Sequence, residues 1–187
     1  SWANKTTGDS PNFWGRAIGW YAMALVDALD YFPATNPYRD SLTGILQRLV
    51  TAVAKYQDPA TGCWYQVMDK GDSTGNYLES SASCMFVYSI AKGVRKGYLD
   101  PKLMTVAEKG YQGILKQFIS RDAEGHLSLS GVCAVAGLGG HPYRDGSYHN
   151  YVSQRPVSHD PKGISAVILA ASELDIASMH ASGEGLT

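Results

Sequence analysis

Cysteine is scarce in this chain: Cys63, Cys84 and Cys133 are three in 187 residues, odd in number, far apart and without C-x-x-C spacing. Neither a disulfide framework nor a zinc site is indicated, and the thiols read as small buried apolar side chains. An excess of one charge is also missing. The 16 Lys plus Arg and 17 Asp plus Glu give a formal net charge of -1, so nothing points to nucleic acid or an anionic membrane surface as partner. No apolar run reaches the ~20 residues that cross a bilayer, and no signal peptide is recognisable. The first residue is Ser1, not methionine, which reads as processing, trimming or partial coverage. Phenylalanine is sparse too, 4 against 12 Tyr and 4 Trp. Aromatic content is thus biased toward rings with a polar edge, a bias shared by sugar-binding clefts and ordinary cores.

What is present is helix punctuation. Ser10-Pro11, Asn36-Pro37, Asp100-Pro101 and Asp160-Pro161 each set a side-chain acceptor before a proline, the arrangement that caps orphan N–H groups and uses proline where no N–H is needed. They predict four helix starts. After Asn36, the residues Leu42, Ile45, Leu46, Leu49, Val50 and Val53 form a one-sided stripe; after Pro101, Met104, Ala107, Tyr111, Ile114, Leu115 and Phe118 repeat it. Both read as amphipathic helices with a wet outer face. Segments 13–33, 79–96 and 161–176 are instead apolar or small nearly all round, the composition of helices buried on most sides. The order buried, amphipathic, buried, amphipathic, buried predicts an inner ring of helices wrapped by an outer ring.

Connections are unequal. Around Pro33 to Pro37 the link from inner to outer helix is short, whereas 58–78 and 120–160 are long and hold strand-like runs, GCWYQVM and HLSLSGV. Loops that long inside one domain are usually functional or disordered. Both precede inner helices, so they are expected to gather above the inner N-termini, where FWGR (13–16) also sits.

On a helix, Arg16 and Trp20 share a face, with Gly19 beside them leaving space and Trp14 in the first turn. An arginine fork suits a carboxylate and an indole face suits the C–H face of a sugar ring; equally, both tryptophans could pack the core while Arg16 caps a carbonyl. The loop GLGGHPYRDGSY (137–148) carries His141, Tyr143, Asp145 and Tyr148 and reads either as a cleft rim or as a convoluted surface loop. It lacks the G-K-[ST] ending of a phosphate loop. His141, His149 and His159 lack helical ligand spacing, so no metal is expected. Asp9, Glu79, Asp145 and Asp160 are the candidate acids, but no two form a pair by spacing, and Asp160 and Glu79 read first as helix-start residues.

The runs TTGDSPNFWGRAIGWYAMALVDALDYFP, GNYLESSASCMFVYSIAKGVRKGYL and VAGLGGHPYRDGSYHNYVSQRPVSHDPKG together resemble glycoside hydrolase family 105, the unsaturated rhamnogalacturonyl hydrolases, with the family 88 unsaturated glucuronyl hydrolases as relatives. The resemblance implies an all-α fold, an (α/α)6 barrel of twelve helices in roughly twice this length. Residues 1–187 would be the C-terminal part of that single catalytic domain. The implied activity removes an unsaturated uronic acid from the non-reducing end of pectin-derived oligosaccharides. An aspartic acid protonates C4 of the C4=C5 vinyl ether, water adds at C5, and the hemiketal collapses with release of the next sugar. One carboxyl can serve as acid and then base, unlike the carboxylate pair of ordinary glycosidases. The same resemblance places that aspartate and an active-site histidine in the N-terminal half, so no catalytic residue is expected within these 187.

The family's W-x-R-x-x-x-W motif falls on Trp14, Arg16 and Trp20, which the resemblance implies line the subsite for the unsaturated sugar. No cofactor is implied. Partners are the unsaturated uronyl oligosaccharide and either the remaining half of the barrel or a partner chain, since a partial ring would expose apolar inner faces. By itself the 187-residue piece is expected to be inactive, and a bacterial cytoplasm or periplasm is the expected compartment. Two other readings stand beside the enzyme: a non-catalytic carbohydrate-binding helical toroid, and a structural helical repeat with core tryptophans.

Overall fold

The computed structural model describes residues 3–182. Its main helices are α1 (Gly15–Ala28), α2 (Arg39–Lys55), α3 (Ser80–Arg95) and α4 (Met104–Phe118). Strands β1 (Ile119–Arg121), β2 (Leu127–Leu129) and β3 (Val132–Cys133) follow, then α5 (Tyr148–Val152), β4 (Pro156–Val157) and α6 (Pro161–Ser182). Helix α3 is the centre: Ser80 through Gly93 are all buried, with α1 on one flank, α6 on the other and α4 behind. Helix α2 packs on α1. This is the expected alternation, with α1, α3 and α6 inside and α2 and α4 outside.

The outer helices bury most of the stripes their periodicity predicts; Leu115 of the α4 stripe is instead 39% exposed. Leu46, Val50 and Val53 of α2 and Ala107, Ile114 and Phe118 of α4 are buried, each such large aliphatic or aromatic chain contributing about 1.5–3 kcal/mol. Contact between α1 and α3 is closer than larger side chains would permit. A Cβ on Gly19 would lie 2.9 Å from the Cβ and Sδ of Met85, and one on Gly15 would lie 3.1 Å from the Ala82 Cβ. Gly19 therefore serves helix packing against α3 and does not open space beside Trp20.

Two of the four expected starts are caps: Asp100 Oδ1 accepts from Lys102 N at 2.9 Å at the head of a 3-10 turn that runs into α4, and Asp160 Oδ1 from Lys162 N at 2.9 Å at the head of α6. Asn36 Oδ1 accepts from Tyr38 N at 2.9 Å in the turn before α2, whose own N-cap, Tyr38, makes no side-chain cap. Ser10-Pro11 is not a start: α1 begins at Gly15, and its N-cap Trp14 makes no side-chain cap. Gly15 N donates to Gln66 O at 2.9 Å and Met68 N to Phe13 O at 3.0 Å. Pairing with 66–68 thus holds the chain extended until Trp14, overriding the local proline signal.

Segments 13–33 and 161–176 are also less enclosed than composition predicts. Helix α1 exposes Ala17, Trp20, Tyr21 and Ala24, and α6 exposes Ile164, Ile168 and Leu169. Among the described residues, only α3 is buried on all its faces. At the other end of the inner helices, Lys92 Nζ meets Asp27 at 2.6 Å and Asp30 at 2.8 Å. Arg95 clasps Glu173 through two 2.8 Å hydrogen bonds, tying α6 to α3.

HLSLSGV forms a strand as expected: β2 pairs antiparallel with β1, Ser120 opposite Ser128. GCWYQVM makes only isolated bridges, Trp14 with Val67 and Tyr65 with Leu78. Cys63, Cys84 and Cys133 are free and buried, as read.

Candidate functional site

A cleft of about 360 Å³ opens over the N-terminus of α1, between Asn12, Trp14 and Ala17 on one side and Leu138 and Tyr151 on the other. Its walls come from the segments the loop lengths predict: the run before α1 and the long 120–160 connection. The latter is drawn in where Asn12 Nδ2 donates to Gly146 O at 2.8 Å. Trp14 is half-buried. Tyr151, 3% exposed, lies against it with ring centroids 6.0 Å apart and a 32° tilt, within the range of favourable aromatic pairs. Ala17 belongs to the cleft and precedes Trp20 by one turn, so the exposed stripe Ala17, Trp20, Ala24 carries the surface down α1. Trp20 is 46% exposed.

Beneath the cleft lies a buried polar cluster. Arg16 is 2% exposed and donates to Cys133 O at 2.5 Å, Ser81 Oγ at 3.4 Å and Ala134 O at 3.5 Å. Its Cζ stands 5.2 Å from the centroid of the Trp14 ring. Glu79 is wholly buried and caps α3, accepting from Ala82 N at 2.6 Å, Ser81 Oγ at 2.8 Å and Cys133 N at 2.8 Å. Glu79 and the Arg16 guanidinium both reach the Ser81 hydroxyl, and each buried polar group has protein partners. Burial pushes the Cys133 thiol above its ordinary value, against the opposing pull of Tyr77 and Arg16, so it stays neutral.

The structure brings Trp14 and Arg16 together and puts Trp20 on the adjoining stripe. Arg16 is not among the cleft's lining and is 2% exposed, its Nη1 and Nη2 directed to the carbonyls of Cys133 and Ala134. None of His141, Tyr143, Asp145 and Tyr148 is among the cleft's lining; their loop contributes Leu138. His141 and Tyr143 are exposed. Gly139 and Arg144 exchange backbone hydrogen bonds of 2.8 and 3.1 Å across the turn that carries them. Asp145 is held below its ordinary carboxylate value by hydrogen bonds from the Ser147 side chain and then its backbone. Tyr148 donates to the carbonyls of Ser73 and Thr74, both at 3.1 Å.

Asp9 is exposed in the turn before Ser10. Asp160 sits at the α6 start beside Lys162 Nζ at 2.8 Å. Burial pushes its carboxyl up, but hydrogen bonds from Lys162 and the nearby Lys162 and Arg16 charges together hold it below its ordinary value. No acidic residue is among the cleft's described lining. The one described group with metal-ligand geometry, Asp122, Glu124 and His126, is an exposed hairpin turn, its His126 N donating to Asp122 Oδ1 at 2.8 Å.

Sequence reasoning missed Gln66, Asn12, Leu138 and Tyr151. Gln66 had a signal: it is the one amide in the otherwise apolar or aromatic run Trp64 to Met68, in which Trp64, Gln66 and Val67 are all 0% exposed. An amide buried in such a run must have partners. The others become neighbours only through long-range folding.

Comparison with known proteins follows the same outline. Glycosyl Hydrolase Family 88 matches residues 1–176. The structure of a family 105 glycoside hydrolase from C. acetobutylicum superposes with a TM-score of 0.90 at 47% identity, covering 93% of this chain and 48% of that one. The "24.9 kDa protein in picA locus" of Rhizobium radiobacter is 38% identical over 182 residues, 92% of this chain and 76% of the relative. Unsaturated rhamnogalacturonyl hydrolase YesR of Bacillus subtilis is 37% identical over 84 residues, 44% of this chain and 23% of its own length. The chain thus spans about half the length of the Clostridium structure.

Proposed function

Since the chain belongs to Glycosyl Hydrolase Family 88 and folds as about half of an (α/α)6 double ring, we propose that it is the substrate-binding part of an unsaturated uronyl hydrolase acting on rhamnogalacturonan-derived oligosaccharides. The observation that supports this most is the cleft over the α1 N-terminus, floored by Trp14 and continued by Trp20. The indole face of Trp14 takes the C–H face of the terminal unsaturated sugar and Trp20 borders the next subsite. Arg16 acts from below: it fixes the carbonyls of Cys133 and Ala134, hence the loop that brings Leu138 to the wall, and lends positive charge beneath the ring that meets the uronate.

In this reading a proton goes to C4, water adds at C5, and the hemiketal opens to release the next sugar. The reading takes the proton donor from outside residues 1–187; among the described residues no carboxylate lines the cleft. His141, Tyr143, Asp145 and Tyr148 shape the outer rim through their loop. Residues 1–187 then form the C-terminal part of one barrel. Its other half, in the same polypeptide or a partner chain, covers the apolar groove of about 340 Å³ between α4 and α6, which includes Leu115, Leu127, Ile164 and Ile168. Leu127 is 62% and Ile168 59% exposed, an apolar patch of the kind that marks an interface.

The test is the ultraviolet absorbance of the C4=C5 chromophore in an unsaturated rhamnogalacturonan disaccharide incubated with the protein together with its ring-completing half. Decay of the signal supports the hydrolase. A flat signal with retained binding replaces it by a non-catalytic sugar-binding toroid, a reading favoured only by the cleft's lack of a carboxylate.

A further inference from the structure

We propose that Gln66 is a positioning residue that fixes the Trp14 indole as a sugar platform; the inference rests on the sugar-site reading of the cleft. Gln66 is wholly buried. Its Oε1 accepts from Trp14 Nε1 at 3.1 Å, and its Nε2 donates to Tyr151 O at 3.2 Å and to Cys133 Sγ at 3.0 Å. Its main-chain oxygen accepts from Gly15 N at 2.9 Å. One residue therefore holds Trp14 twice, through the backbone beside it and through the ring, and also holds the segment that carries Tyr151.

The ring also meets Tyr151 at 6.0 Å and a 32° tilt and the Arg16 guanidinium at 5.2 Å, and it packs against the cluster that includes Val67 and Ala136. The indole turns about its Cβ–Cγ bond, and such a turn swings Nε1 out of line with its acceptor. The hydrogen bond to Gln66 therefore selects one ring orientation. Glutamine suits the place because it offers an acceptor and two donors on one planar group. Trp14 needs the acceptor, and Tyr151 O and Cys133 Sγ take the donors. Methionine would fill the same length with neither, and glutamate would keep only the acceptor. A platform free to turn loses part of its stacking preference, since sites work when their supporting residues lock the rotamer.

The test uses Gln66→Met and Gln66→Glu with two readouts: calorimetric affinity for the unsaturated rhamnogalacturonan disaccharide, and the ultraviolet resonance Raman band that reports indole N–H hydrogen bonding. The Trp14 band is isolated as wild type minus Trp14→Phe. Expected is a bonded Trp14 band in wild type, a free band with affinity lowered about tenfold in Gln66→Met, and a bonded band with much of the affinity restored in Gln66→Glu. A merely structural glutamine would change stability without this rescue. A free Trp14 band in wild type overturns the proposal, as does unchanged affinity in a folded Gln66→Met whose band is free. In both cases the sugar-site reading survives if wild type binds. Failure of wild type to bind the disaccharide overturns that reading, and the positioning role with it, even where the band is bonded. Should Gln66→Met not fold, the wild-type band and Gln66→Glu still decide: a free band in either one is contrary.

Discussion

Arg16 and Trp20 lie four residues apart on one helix, yet substitution should separate them sharply. Replacing Arg16 with Ala takes the donors from the carbonyls of Cys133 and Ala134 and from Ser81 Oγ. Losing buried charge-assisted hydrogen bonds costs roughly 3 kcal/mol, visible as a lower urea midpoint before any ligand is added. Trp20→Ala removes a side chain that is 46% exposed and should change stability by less than about 1 kcal/mol while weakening sugar binding. Equal stability losses in the two variants would remove Trp20 from the binding surface. Glu79→Ala, which strips the Ala82 and Cys133 amides of their acceptor, should cost about 2–4 kcal/mol in the same assay. At this scale the tryptophans and Arg16 were legible as a group, because their spacing is local. Which way the guanidinium points was not, because its acceptors are 117 and 118 residues away in the chain.

Between elements, the α1–α3 crossing depends on what is missing from two glycines. Gly19→Ala would push a methyl to 2.9 Å from the Met85 Cβ, so it should destabilise the fold by about 1–3 kcal/mol, although alanine is the better helix former. Thermal unfolding reads this directly, and a stabilised variant would contradict the packing described. The far end of the same pair supplies a pH test. Burial pushes the Asp30 carboxyl up, but the Lys92 hydrogen bond and charge, with Lys96 and Tyr98, hold it below the ordinary 3.8. A folded value below the unfolded one means that this contribution is complete above the unfolded value and is lost as pH falls through the folded one. The Tm difference between wild type and Asp30→Asn should therefore shrink as pH drops from about 5 to about 2; a constant difference would exclude the ion pair. Helix existence, most of the outer stripes and the caps at Asp100 and Asp160 were legible because each is set by residues within a turn or two. The false start at Ser10-Pro11 and the open faces of α1 and α6 were not, since both depend on what packs from elsewhere.

For the molecule as a whole, the layering of inner and outer helices followed from hydrophobic periodicity alone, whereas its closure into a ring did not. Half of a double ring leaves the groove between α4 and α6 as apolar surface, and native mass spectrometry of the purified protein should find that face occupied by a ring-completing half. Calorimetric titration of the unsaturated rhamnogalacturonan disaccharide into wild type and Trp14→Ala decides whether the cleft over the α1 N-terminus binds an unsaturated uronyl sugar on Trp14. Such a site gives binding to wild type and at least about a tenfold loss in a Trp14→Ala variant that remains folded. Equal affinity in the two, or no binding to either, would contradict it.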